Sequence, residues 1–381
     1  MKPAGSLLRQ LGLRRVVNAR GPMTLSGAAA MPREAVEAMA EMAGSYVMID
    51  ELRARVDAAV AEATGAEAGL VTSGAAAGIV AAIAGCMTGS NRVLVSRLPD
   101  TSGLRDEVIV QAGHMVTYVR QVRLTGARVV TVGSVYPVLG EEIEAAIGPS
   151  TAAIFHVISH HCVQKGMVPL PEVVAIGKAR GIPVVVDAAA EIDLRRHIPA
   201  GADLVIYSGG KAVPGPSASG FVCGRRDLVA AAAAQFEGIC RPMKVGKETL
   251  VALLAALRVY ADHDPDTMWA EWTARCQRII TLLGDLDHAE VRIRRDQGYQ
   301  LDPAGRPLPR VEIWLDEQAG PGRAHEVSRR LRAGDPVILL RDYWADTGVL
   351  QVDVTCLADD EVDLVVEYLR KALSAPGGDL P

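Results

Sequence analysis

The chain has 381 residues, 49% of them hydrophobic but only 4% aromatic, and a formal net charge of −5. Its length supports one large domain plus a smaller one, with a core built from Ala, Val, Leu and Ile rather than from rings. The mildly acidic balance, with lysine and arginine spread along the chain, excludes a nucleic-acid surface and argues against a tRNA-sized partner.

The N-terminal stretch MKPAGSLLRQLGLRRVV is basic but has no sustained apolar core and no small-residue cleavage site, so it is not a secretory signal. No apolar run is long enough to span a bilayer without glycine or charge. Cys86, Cys162, Cys223, Cys240, Cys276 and Cys356 are scattered without a C-x-x-C pair. That usage fits a reduced, cytoplasmic protein rather than a disulfide scaffold or a zinc site.

Val16 to Gly27, VVNARGPMTLSG, is broken by Gly and Pro and is expected to be an extended loop. Apolar spacing predicts helices from Pro32 to about Met42 and from Asp50 to Ala63. Residues 69–85 run from a short strand into a helix that carries no charge, so that helix must be buried around most of its circumference. Thr72 and Ser73 occupy its expected N-cap, and small residues follow, leaving the first amides open to an anion. Strands are then expected at Glu107–Gln111, Arg128–Val132, Ala152–Ser159, Ile182–Asp187, Leu204–Tyr207 and Phe221–Cys223, with helices such as Glu141–Ile147 and Pro171–Arg180 between them. Their continuous apolarity predicts a mostly parallel sheet covered on both faces. Gly246 to about Leu286 reads as long helices broken near Asp264-Pro265. The pattern then becomes strand, strand, helix, strand, strand, helix: Val291–Arg294, Val311–Leu315, Ala324–Arg332, Val337–Arg341, Leu350–Val354 and Glu361–Leu373. The expected organisation is an N-terminal segment and active-site loop (1–30), a large α/β domain (31–262) and a small C-terminal α+β domain (263–381).

The chemistry gathers at strand ends, where an open α/β sheet places its ligands. Leu204 to Tyr207 runs straight into Ser208-Gly209-Gly210-Lys211. A lysine delivered there is either one that simply reaches water or a buried amine whose lowered pKa lets it form a Schiff base. Asp187 ends the run VVVD, where it can cap a turn or pair with a protonated ring nitrogen. Pyridoxal phosphate asks for a lysine imine, a carboxylate on the pyridinium nitrogen, a phosphate cradle and a flat group against the ring. Lys211, Asp187, the helix start at Ser73-Gly74-Ala75-Ala76 with Ser208, and His114 are the candidates for the four.

NARGPMTLSGAA, TGAEAGLVTSGAAAG, VDAAAEID, GADLVIYSGGKAVPGPSASGFVCGRRDL and RPMKVGKETLVALLAAL resemble fold-type I pyridoxal-phosphate enzymes. Within them they resemble the group related to bacterial selenocysteine synthase, which includes D-glucosaminate-type dehydratases and ammonia-lyases. The resemblance implies a large α/β domain with a small α+β domain and a homo-oligomer. It implies that Lys211 holds the cofactor as an imine and later moves the α-proton, while Asp187 keeps the ring nitrogen protonated. Ser73, Gly74, Ala75, Ala76 and Ser208 would hold the phosphate, His114 would stack on the ring, and Arg241, Lys244 and Lys247 would reach the phosphate of a neighbouring subunit. The chain departs from sugar-acid relatives at Met115 and at Ala212-Val213-Pro214. Because it begins almost at the family's NAxG segment, no separate tRNA-binding domain is expected.

Arg20 and Arg341 are candidates for the substrate carboxylate, because a guanidinium matches it bidentately. His160-His161-Cys162 is not expected to bind metal, since neighbours on a strand point to opposite faces. The expected activity is α-proton abstraction and β-elimination from an amino acid or amino-sugar acid, giving a keto acid and ammonia. An aminotransferase, a racemase and a catalytically silent cofactor-binding module stay open at this point.

Overall fold

The computed structural model describes residues 6–134, 137–286, 288–294, 300–316 and 322–374. In chain order its strands are β1 (Val16–Ala19), β2 (Ala68–Thr72), β3 (Glu107–Gln111), β4 (Arg128–Val132), β5 (Thr151–Val157), β6 (Val184–Asp187), β7 (Leu204–Ser208), β8 (Gly220–Gly224), β9 (Ala289–Arg294), β10 (Arg310–Leu315), β11 (Val337–Trp344) and β12 (Val349–Asp353). The chain divides into two compact units, one of Ala30–His263 with Gly298–Gly305, the other of Met1–Ala29, Asp264–Gln297 and Arg306–Pro381. Residues 300–305, expected in the smaller domain, thus group with the larger unit.

In the larger unit seven strands lie in the order β2-β8-β7-β6-β5-β3-β4. Those from β7 to β4 are parallel, and β8 runs antiparallel to both β7 and β2. Successive side chains on these strands enter two separate cores, as the period of a strand requires. Val184, Val186, Val205 and Tyr207 join the helices Arg33–Ala43, Ile49–Thr64 and Lys247–Asp262 on one face. Val185, Leu204, Ile206 and Val222 join the uncharged helix Ala75–Thr88 on the other. Both faces are apolar, so the strands show no alternation in sequence, and the burial of β6 is unbroken.

The smaller unit is a five-stranded sheet in the order β1-β11-β12-β10-β9, antiparallel except where β1 pairs in parallel with β11. Val16–Ala19, expected as loop, is therefore a strand; Val17 and Ala19 are fully buried, and the Gly-Pro break falls just after them. The long helical stretch splits where expected, with the Asp264 side chain capping Thr267 and Pro265 opening the helix Pro265–Leu283. No described helix is long and apolar enough to cross a membrane.

Candidate active site

Register alone sets one end of the large sheet. Thr72 pairs with Gly220, Gly220 with Ser208, Asp187 with Ile206, and Val157 with Asp187. The ends of β2, β7, β6 and β5 and the start of β8 therefore form a row, and the candidate residues hang from it. Ser73 to Ala76 follow β2, His114 follows β3, Asp187 closes β6, Ser208 closes β7, and Lys211 follows three residues later.

The helix Ala75–Thr88 begins at Gly74, not at Thr72 or Ser73 as expected. Gly74 has φ 111° and ψ 160°, a region essentially closed to residues with a Cβ. The Thr72 hydroxyl donates to the Gly74 carbonyl at 2.9 Å, so it does not cap the helix. No side chain caps this terminus, and its leading amides and the positive end of the dipole stay available to an anion. Gly220 backs directly against it: a Cβ there would stand 2.5 Å from the Ala75 nitrogen and the Gly74 carbonyl carbon.

Asp187 is 4% exposed, and burial raises its pKa; a hydrogen bond from the Ala189 N–H at 3.0 Å and the charge of Lys211 oppose that rise. Burial lowers the Lys211 pKa, opposed by Asp187. Each ion is thus stabilised by the other in a setting that disfavours both. The Ser208 hydroxyl accepts from the Gly210 N–H at 3.4 Å within the loop that delivers Lys211.

His114 is wholly buried rather than a surface histidine. Its Nδ1 accepts from the Val157 N–H and its Nε2 faces Gln164 Oε1, each at 3.3 Å, and its ring meets His156 edge-on with centroids 4.5 Å apart. These partners fit a neutral ring protonated on Nε2, and burial lowers its pKa to about 4. Stacking on a cofactor would require the covering loop to shift, since no face of the ring is open. Gln164, which the sequence did not single out, ties that loop down by donating to the Val157 carbonyl at 2.7 Å. β5 ends at Val157 rather than Ser159, so His160 and His161 do not lie on a strand. Their rings sit side by side, with centroids 3.9 Å apart, instead of pointing to opposite faces. Among the described residues no group of His, Cys, Asp and Glu is arranged to hold a metal ion.

Of the basic cluster, Arg241 and Lys244 are exposed. Lys247 differs: its ammonium donates to the Met42 and Ala43 carbonyls at 2.6 and 3.3 Å and pairs with Glu248 at 2.7 Å. A cation at a helix C-terminus is well placed there, and Lys247 is engaged within its own chain.

In the smaller unit Arg20 and Arg341 meet on one ring, their guanidinium carbons 5.0 and 5.3 Å from the centre of Tyr343. Arg341 is 3% exposed, its pKa lowered to about 10 by burial and then by Arg310, with Asp353 opposing. Burial alone would raise the Asp353 carboxyl, but Arg310 and Arg341, at 2.7 and 3.3 Å, outweigh it and hold it far below the usual range. The Nε atoms of Arg20 and Arg341 are buried without a hydrogen-bond partner, so each guanidinium keeps donor capacity.

The larger unit's residues fit pyridoxal phosphate by their donor set. An uncapped helix start suits a phosphate, a buried carboxylate suits a protonated ring nitrogen, and a lysine pushed toward its neutral form suits a carbonyl.

The family model described as SelA: L-seryl-tRNA selenium transferase matches residues 17–271. D-glucosaminate-6-phosphate ammonia lyase of Salmonella typhimurium is 38% identical over 370 residues, covering 96% of this chain and 97% of that protein. A 5'-C-glycyluridine monooxygenase-decarboxylase of a Streptomyces species is also 38% identical, over 97% of this chain and 92% of its own. L-seryl-tRNA(Sec) selenium transferase of Moorella thermoacetica is 30% identical over 95% of this chain and 82% of its own. A solved structure of D-glucosaminate-6-phosphate ammonia-lyase superposes with a TM-score of 0.85 at 38% identity, covering 98% of this chain and 99% of that one. Aspartate aminotransferase of Thermotoga maritima, at 16% identity and a TM-score of 0.54 over 97% of this chain and 95% of its own, shares the fold.

Proposed function

The chain belongs to the SelA family, and on that premise we propose that it is a pyridoxal-phosphate lyase that eliminates ammonia from an amino acid or amino-sugar acid. The observation that carries the proposal is the mutual stabilisation of buried Asp187 and Lys211 at adjoining strand ends, beside an uncapped helix start. The 38% identity to an ammonia lyase along almost the whole chain supports elimination over transamination or racemisation.

Pyridoxal phosphate, when bound, supplies an electron sink that makes a C–H bond beside an amine acidic. Lys211 would hold the cofactor covalently and then take the α-proton, burial lowering the pKa of its amine against the opposing charge of Asp187. Asp187 would keep the ring nitrogen protonated. The amides at Ser73, Gly74, Ala75 and Ala76, with the Ser208 hydroxyl, would receive the phosphate. His114 and Gln164 would order the loop beside them. Arg20 and Arg341 would bind the substrate carboxylate through their unpartnered Nε donors. Exposed Arg241 and Lys244 would serve a neighbouring subunit in a homo-oligomer, and the enzyme would work in the cytoplasm.

The test is to follow the visible absorbance of the cofactor-loaded protein against D- and L-amino acids and amino-sugar acids, with and without a phosphate ester. Ammonia, keto acid and dissolved oxygen are assayed together. Ammonia and keto acid released without oxygen uptake are expected, and Lys211→Ala should abolish both while the fold persists. Oxygen uptake with loss of carbon dioxide would favour the chemistry named for the Streptomyces relative. Amino transfer or inversion without ammonia release would overturn the lyase reading.

A further inference from the structure

Gln300 and Asp302 belong to the larger unit, where they are 6% and 1% exposed. Gln300 has φ 80°, in the left-handed region that a residue with a side chain occupies only under constraint. That conformation turns two donors toward one short segment. Its side-chain Nε2 donates to the Ala190 carbonyl at 3.0 Å, and its backbone N–H donates to the Glu191 carboxyl. The Asp302 carbonyl accepts from Arg196 at 2.8 Å, fixing the same segment from its far side.

The gripped segment is the turn that starts at Asp187. The Ala189 N–H donates to Asp187 Oδ1 at 3.0 Å, and the Glu191 N–H donates to the Ala188 carbonyl at 2.9 Å. Tyr260 and Tyr207 fix the stretch beyond it, through the Ile192 carbonyl at 2.7 Å and the Leu194 carbonyl at 3.2 Å. Gln300 holds the Ala190 carbonyl and the Glu191 side chain, between the strand end and those tyrosine anchors. Glycine would adopt the same φ without the amide, and asparagine is one methylene shorter. Strain retained at a buried glutamine whose donors both serve one turn marks a requirement for that turn's position.

We infer that Gln300 is a positioning residue that fixes the turn carrying Asp187, and so orients its carboxylate toward the ring nitrogen of pyridoxal phosphate. The inference rests on the role proposed above for Asp187. It assigns to a residue 113 positions away in sequence the job of keeping the Ala189 N–H to Asp187 bond in place.

Gln300→Met keeps length and backbone N–H but removes the side-chain donor, whereas Gln300→Gly keeps the φ and removes the side chain, and releasing the strain favours its folding. Two readouts besides activity are taken. Hydrogen–deuterium exchange is measured over residues 188–197 of the cofactor-free protein, and pyridoxal phosphate is titrated with the pH dependence of its visible band. Both variants should raise exchange over 188–197 but not over β3 and β4. Both should weaken cofactor binding roughly tenfold, as the loss of a buried hydrogen bond does, and displace the pH profile. Asp187→Asn is run beside them. If it alters the band while both Gln300 variants keep wild-type affinity and profile, the inference fails and the role of Asp187 stands. If Asp187→Asn leaves the band unchanged, the reading beneath the inference fails and takes it along.

Discussion

Asp187 and Lys211 each sit where their charge is disfavoured, and each limits the other's shift. Removing one charge should therefore move the other group in the direction that burial alone dictates. In Asp187→Asn the Lys211 amine should become neutral more readily, so acetic anhydride at pH 7.5 should label it several-fold faster in cofactor-free protein, read by mass spectrometry at that residue. Unchanged or slower labelling would remove the coupling on which the proposed site depends. Glu191 supplies a second expectation. Burial pushes its carboxyl up to about 7, with Arg196 and the Gln300 N–H opposing. For an acid raised in the folded state, the native protein binds the proton more tightly, so stability falls as pH climbs from the unfolded value of about 4.5 through 7. Glu191→Gln keeps an acceptor for Gln300 and removes the charge. It should stabilise by about 1–3 kcal/mol at pH 8 and have little effect at pH 4.5, measured by urea unfolding at both. Lys211 and Asp187 were legible in sequence because each closes an apolar run. Glu191, Gln164 and Gln300 were not, because their significance lies in partners that only the fold supplies.

At the level of elements, the approach of β8 to the start of the helix Ala75–Thr88 decides whether the proposed anion site can form. Gly220→Ala would place a methyl 2.5 Å from both the Ala75 nitrogen and the Gly74 carbonyl carbon, and backbone atoms have no rotamer by which to yield. It should cost about 2–4 kcal/mol and abolish the rise in melting temperature on adding pyridoxal phosphate. Gly78→Ala is the comparison, since its methyl would meet the Ile206 Cγ2 at 2.9 Å in the core. It should lower the melting temperature yet keep the ligand-induced rise, and an equal loss of that rise in both variants would contradict the assignment. The strands around this junction were readable from apolar runs bounded by Gly and Pro, and β3 and β4 fall on their expected residues. β5 stops two residues early because the chain turns where Ser159 accepts from the His161 N–H. β1 was missed because four residues carry little periodicity and their partner, Val337 to Leu340, is more than 300 positions away. The helix start was placed one or two residues early because hydroxyls at Thr72 and Ser73 imitate a cap, while Gly74 alone tolerates the required backbone.

Across the whole molecule, buried titratable groups set a pH dependence that no single site would. Burial lowers the pKa of His114 and His197 to about 4, with Arg196 adding to the effect at His197. Burial, then His114 and His197, hold His156 well below its ordinary value. A histidine depressed in the folded state contributes stability that is present above the unfolded value of 6.5 and is lost as pH falls toward 4. His114 and His197 can each forfeit on the order of 3 kcal/mol across that span, and His156 acts in the same direction. Glu191 and Asp57 oppose them. Burial raises Asp57 to about 6, against the Val71 N–H and Arg53, so both acids favour the folded state as they protonate. Glu191 gains between pH 7 and 4.5 and Asp57 between pH 6 and 3.8, and both partly cancel the histidine loss; below pH 4.5 Glu191 has nothing left to give while the histidines continue to lose. Stability should therefore decline as pH falls from 6.5 to 4, least steeply between 6 and 4.5 where both acids gain, which urea midpoints at pH 6.5, 6, 4.5 and 4 will resolve. Replacing Glu191 by Gln should steepen the upper part of that curve, because the compensating gain is gone. A flat profile in both proteins would mean that His114, His156 and His197 are hydrated in solution, and the packing that holds His114 and its loop would have to be redrawn.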